Sequence, residues 1–88
     1  MNNLFVSYDL DAPGQNYKRL LVAIEALGQA VRVHESLFYV KSSMTAQVAE
    51  ARLWQAVDAN DRIIVIQAND AWWHNALPGA QPFIQARW

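Results

Sequence analysis

The chain contains no cysteine, which excludes disulfides, thiolate metal sites and cysteine nucleophiles together. Glycine and proline are scarce, three of each in 88 residues, and neither a low-complexity linker nor a glycine-rich phosphate loop is present. No sign of charge dominates: seven Lys and Arg stand against eight Asp and Glu, a net charge of −1. There is therefore no overall attraction to a phosphate backbone, and nucleic-acid binding would need a local basic patch assembled by folding or dimerisation. Long apolar runs are missing as well. The longest, Leu20-Leu21-Val22-Ala23-Ile24 and Ile63-Ile64-Val65-Ile66, are far too short to cross a bilayer, and the first residues lack the basic and apolar regions of a signal peptide. A cytoplasmic setting with no membrane role is the expectation.

What the chain does have is apolar mass. With 53% apolar and 17% charged residues it has the composition of one small folded domain, burying roughly 60–65% of its unfolded surface. One core of this size leaves apolar area over, and self-association is its natural outlet.

The order of elements follows from periodicity. Residues 3–9 are β-branched and aromatic and read as a strand, closed by a turn at Asp11-Ala12-Pro13-Gly14. Tyr17, Leu20, Leu21, Ile24 and Leu27 then fall on one helix face, with Gly28 as the stop. Residues 30–35 and 37–41 form two strands joined by a tight bend at Ser36. Thr45 suits an N-cap for a second helix whose face holds Ala46, Ala49, Leu53, Ala56 and Val57, ending near Asp58–Asp61. Ile63 to Gln67 reads as a strand buried on both faces. Strand, helix, strand, strand, helix, strand is an α+β, ferredoxin-like βαββαβ sandwich over residues 1–68. Both helices would share one sheet face, and a second copy of the chain is the simplest cover for the other, giving a sheet-to-sheet homodimer. Candidate interface residues are Ile63, Val65, Phe38 and Trp73. Residues 69–88, rich in tryptophan and broken by Pro78, Gly79 and Pro82, read as an aromatic C-terminal extension. It is expected to pack on the sheet or on a partner subunit, or to add a short edge strand over Phe83–Trp88.

Three short stretches in this order, Tyr8-Asp9 ending strand one, Val33-His34-Glu35-Ser36-Leu37-Phe38 across strands two and three, and Asp61-Arg62-Ile63-Ile64-Val65 opening strand four, resemble the Cas-two family. That family comprises the small CRISPR adaptation subunit and its VapD-type toxin relatives. The resemblance spans about residues 3–68. It implies a ferredoxin-like protomer, a tight homodimer, and metal-dependent nuclease activity assigned to the strand-one aspartate, which is Asp9 here. Ser36 and Phe38 match the Ser-x-Phe of the strand-two to strand-three bend. The near-neutral charge and the stretch Ala71-Trp72-Trp73-His74-Asn75 depart from the CRISPR subunit and suit a stand-alone member.

Asp9 is the leading candidate for catalysis and for a divalent ion, magnesium or manganese (Mg2+ or Mn2+). A carboxylate at a strand end can be fixed by the sheet yet reachable by water. Hard cations take oxygen ligands and keep several waters, so a single carboxylate gains weight if two-fold symmetry doubles it. The plainer role for Asp9 is to cap a turn. Asp11 is a second candidate metal ligand or an N-cap, and Ser36 a candidate catalytic residue or simply the residue that permits the bend. His34 and His74 are candidate general acids, without a third group to define a relay. Lys18, Arg19 and Arg32 are candidate nucleic-acid contacts, or solvated surface charge. The tryptophans stack bases in one reading and fill core or interface in the other. Three function classes follow: a metal-dependent nuclease of toxin or defence type acting on RNA or DNA, a non-catalytic nucleic-acid-binding scaffold, and a module that docks a protein partner.

Overall fold

Alternation along the first strand decides how the layers are built. In the computed structural model, which describes residues 1–11 and 13–88 apart from the side chains of Pro13 and Gln15, β1 (Asn2–Asp9) turns Leu4, Val6 and Tyr8 to one face, where all three are buried. The chain continues through α1 (Pro13–Leu27), β2 (Gly28–His34), β3 (Leu37–Ser42), α2 (Ala46–Trp54) and β4 (Arg62–Gln67), and adds α3 (Ala80–Arg87). The four strands make one antiparallel sheet in the order β2-β3-β1-β4. The fold is α+β, with the element order expected from the sequence up to β4. The turn expected at Asp11-Ala12-Pro13-Gly14 includes Ala12, which lies outside the described residues.

The first face is covered by α1 and α2. Leu20, Ile24 and Leu27 from α1 and Ala49 and Leu53 from α2 pack with Leu4, Val6, Tyr8, Phe38 and Val40 in one cluster. Burying each of the larger side chains contributes about 1.5–3 kcal/mol. Thr45 caps α2 as its type and position suggest, its hydroxyl accepting from the Val48 N–H at 3.3 Å. Gly28 ends α1 for a different reason from the one its sequence position suggests. It already pairs with β3, and a Cβ there would lie 2.0 Å from the Lys41 carbonyl oxygen.

The second face is covered in part by the chain's own C-terminal segment. After β4 the Ala68 N–H bonds the Asn3 carbonyl, and the Leu77 N–H bonds the Val33 carbonyl at 2.7 Å, so residues 68–77 cross the sheet from β1 to β2. Ile84 is then fully buried with Val33 and Tyr39, flanked by Phe5, Leu37, Trp73 and Phe83. Trp88 stacks on Tyr39 at 6.2 Å between ring centroids and meets Phe5 at 6.3 Å. The strand expected over Phe83–Trp88 is a helix. Gly79 at its N-cap takes φ 88°, which glycine adopts without steric cost, and Pro82 falls in the first turn, where its missing N–H has no helical partner to lose.

β4 is an edge strand, not a strand buried on both faces. Ile64 and Ile66 are 60% and 52% exposed on the side that the tail leaves open, because the tail lies over β2 and β3. Ile63, Val65 and Phe38, expected at a dimer face, instead pack under α1 and α2, since alternation turns them the other way from Ile64 and Ile66. No helix among the described residues is long and apolar enough to cross a membrane.

Candidate functional site

Asp9 is the last residue of β1, a central strand, and alternation places it on the second sheet face, opposite Tyr8. Its register partner on β4 is Arg62, whose guanidinium approaches the carboxylate at 3.2 Å. Both side chains are largely in water, Asp9 72% and Arg62 81% exposed. An ion pair this exposed contributes about 0–1 kcal/mol and is readily exchanged for another partner. Asp9 is thus anchored through its backbone while its carboxylate stays free to change partners. Along β4 from this pair, the exposed Ile64 and Ile66 face the same side, opposite Ser7 and Phe5.

The loop after β1 is held by a polar cluster that the residue types alone did not single out. Asp61 is buried, and its carboxylate accepts from the Asp11 backbone N–H at 2.8 Å, the Asp58 N–H at 2.9 Å and the Asn16 side-chain amide at 3.0 Å. The Asp58 N–H above all, then the Asp11 N–H and the Asn16 amide, hold the Asp61 carboxyl below the usual carboxylate range against the opposing effect of its burial. Asn16 also donates to Asp58 at 2.8 Å and accepts from Arg19, which in turn lies 3.6 Å from Asp58. This cluster ties the α2–β4 loop to the start of α1 and fixes Asp11 by its backbone. The hydrogen bonds that join its two segments link residues 42 to 50 apart in sequence, so no local pattern announces them.

The other candidates take varied places. Ser36 sits in the two-residue turn between β2 and β3, and its carbonyl accepts from the Tyr8 N–H at 3.2 Å, one residue before Asp9. Tyr8 packs against Tyr17 and Phe38 and donates its hydroxyl to the Glu35 carbonyl at 3.0 Å. Burial, aided by Tyr17, pushes its phenol up to about 12. The three basic candidates do not form a free patch: Arg19 belongs to the Asp58 cluster and Arg32 bonds the Glu35 carbonyl at 3.1 Å, while Lys18 is exposed on α1. Among the described residues no three His, Asp or Glu side chains converge. Asp9 and Asp11 are thus joined by no third carboxylate or imidazole among the described residues.

His34 and His74, distant in sequence, line one groove of about 400 Å³ together with Phe5, Leu37, Trp72 and Trp73. A second groove, about 350 Å³, lies between residues 70–73 and α3. Trp73 packs its ring against the Val33–Tyr39–Ile84 cluster, and Trp72 is 90% exposed. No protein-family model matches the chain, and no curated protein matches it.

Proposed function

We propose that the chain is a ferredoxin-like, Cas-two-like protein that works as a homodimer on nucleic acid, with Asp9 as the residue on which metal-dependent phosphodiester cleavage depends. The strand order β2-β3-β1-β4 with both crossover helices on one face supports the fold assignment. The observation that carries the functional reading is the exposed Asp9 carboxylate, fixed at the end of a central strand and paired to nothing stronger than a solvated arginine. Ile64 and Ile66 beside it give a second copy an apolar strip to cover. Pairing there would bring a second Asp9 to the same interface.

Asp9 is the side chain that would hold a magnesium or manganese ion, with water completing the shell as such ions prefer. The ion's contribution is to activate water and to offset charge on the scissile phosphate. When Asp9 gives up its ion pair, Arg62 is released to meet that phosphate, for which its planar fork of donors is suited. The Asp61 cluster keeps the backbone beside Asp9 in place throughout. Incubating the full chain with single- and double-stranded RNA and DNA, in magnesium or manganese and then with chelator, tests this. Cleavage that chelator abolishes is the expected result, and absence of cleavage on every substrate removes the catalytic part.

The sparse ligand set, one exposed carboxylate in place of a cluster, favours a second reading in which the dimer binds nucleic acid without cutting it. A salt titration of binding measures that directly. Phosphate contacts make affinity fall steeply with salt, whereas a module that only docks protein shows no nucleic-acid affinity to titrate.

A further inference from the structure

The groove between residues 70–73 and α3 has a lining that matches one ligand chemistry. Three of the chain's four tryptophans, Trp72, Trp73 and Trp88, border it, and among the described residues that line it Asp70 carries the only charged side chain. Gln81 and Gln85 of α3 add neutral amides. The nearby cations are engaged elsewhere: Lys41 donates to Asn3 at 3.0 Å and to the Trp88 carbonyl, and Arg87 lies 3.5 Å over the Phe83 ring while bonding Gln29. Asp70 takes part in neither ion pair found among the described residues. Indole faces carry negative quadrupole density and attract cations, most of all large, weakly hydrated ones that lose little on leaving water. A carboxylate at the rim adds net negative potential and repels phosphate, which makes this groove a poor seat for a nucleotide. Its volume of about 350 Å³ is at the lower end of the range for small-molecule sites, roughly 300–1,000 Å³.

We infer that this groove binds a small organic cation bearing a quaternary ammonium head, with Trp72, Trp73 and Trp88 facing the methyl groups and Asp70 supplying the counter-charge. The site is independent of Asp9 and of any nuclease activity. It also gives the exposure of Trp72 a purpose, since that ring has almost no packing of its own.

Choline is the probe, followed through the indole N–H resonances of the full-length protein, with each assigned by single Trp→Phe variants. Trp54 lies on α2, across the sheet, and serves as an internal reference. The expected result is that the Trp72, Trp73 and Trp88 signals move with a common saturation curve while Trp54 stays still. The neutral isostere 3,3-dimethylbutan-1-ol should bind at least about tenfold more weakly, because it keeps the shape and loses the cation–π attraction. Asp70→Asn and Trp72→Ala, both at exposed positions, should each weaken choline severalfold and leave the melting curve unchanged. Equal binding of the neutral isostere would make the groove merely apolar and overturn the inference. So would choline shifts that include Trp54, unchanged affinity in Asp70→Asn, or movement of the three indoles with a single-stranded oligonucleotide and not with choline.

Discussion

Replacing Ile84 by alanine tests whether the C-terminal helix is seated on the sheet in solution. Ile84 is fully buried and lies in the cluster with Val33 and Tyr39. It is the α3 residue buried most completely in that cluster, with Phe83 packed beside it. Removing its three outer carbons from such a site costs about 2–5 kcal/mol, the transfer energy of the lost groups plus the cavity left behind. We take about 3 kcal/mol, because the neighbouring aromatic rings are too stiff to collapse fully into the space. For a domain of this size each kcal/mol moves the midpoint by about 4–8 °C, so the melting temperature should fall by about 12–24 °C. Urea melts followed by tryptophan fluorescence and by circular dichroism, at one fixed protein concentration, give the free energy and check that the two probes coincide. Gln85→Ala, an exposed neighbour on the same helix, is the reference and should stay within about 0.5 kcal/mol of the parent. If Ile84→Ala melts within about 1 kcal/mol of the parent, the helix is not seated on Val33 and Tyr39.

Asn16→Ala should destabilise by about 1.5–3 kcal/mol, because a buried amide loses its hydrogen bonds to the buried Asp61 carboxylate and to the more exposed Asp58; chemical denaturation checks it, and a loss near zero would mean that water replaces the amide. Asp61 has a folded-state pKa below its ordinary value, so the stability it contributes is fully present above that ordinary value and is lost as pH falls through the folded one. Melting temperatures from about pH 5 down to about pH 2 should therefore fall more steeply in the parent than in Asp61→Asn, which has no proton to take up there. Ile64→Asp and Ile66→Asp should dissociate a dimer without unfolding the protomer, since both side chains point away from α1 and α2; sedimentation of the variants beside the parent decides this, and a parent that is monomeric at low micromolar concentration contradicts the interface.

Where periodicity was long and one-sided, the sequence was legible. The Leu20, Leu21, Ile24 and Leu27 face of α1, the Thr45 cap and the tight bend at Ser36, which the structure extends to a two-residue turn with Glu35, follow from local rules that tertiary structure does not override. The exposure of β4 is not legible because Ile63-Ile64-Val65-Ile66 is apolar at every position, and an unbroken run carries no information about which face is covered. The tail packs on the sheet, as its apolar content suggests, but as a helix and not as an added edge strand. Gly79 and Pro82 look like breakers, yet one is the helix cap and the other occupies the first turn, where proline does no harm. Asp9 could be picked out by its place at a strand end. Its pairing with Arg62 could not, because cross-strand partners emerge only with the register. The bonds from Asn16 to Asp58 and Asp61, and the meeting of Trp88 with Trp72 and Trp73 at one groove, likewise depend on tertiary packing.

The account turns on Asp9, and the most direct measurement compares cleavage by the parent and by Asp9→Asn at equal folded concentration, on the same RNA and DNA substrates with magnesium or manganese. The substitution keeps the size and most of the hydrogen bonding of the side chain while removing the charge that would hold a cation. At a site 72% exposed it should leave the melting temperature nearly unchanged. The predicted result is metal-dependent cleavage by the parent that chelator and Asp9→Asn each abolish; undiminished metal-dependent cleavage by Asp9→Asn would contradict the assignment.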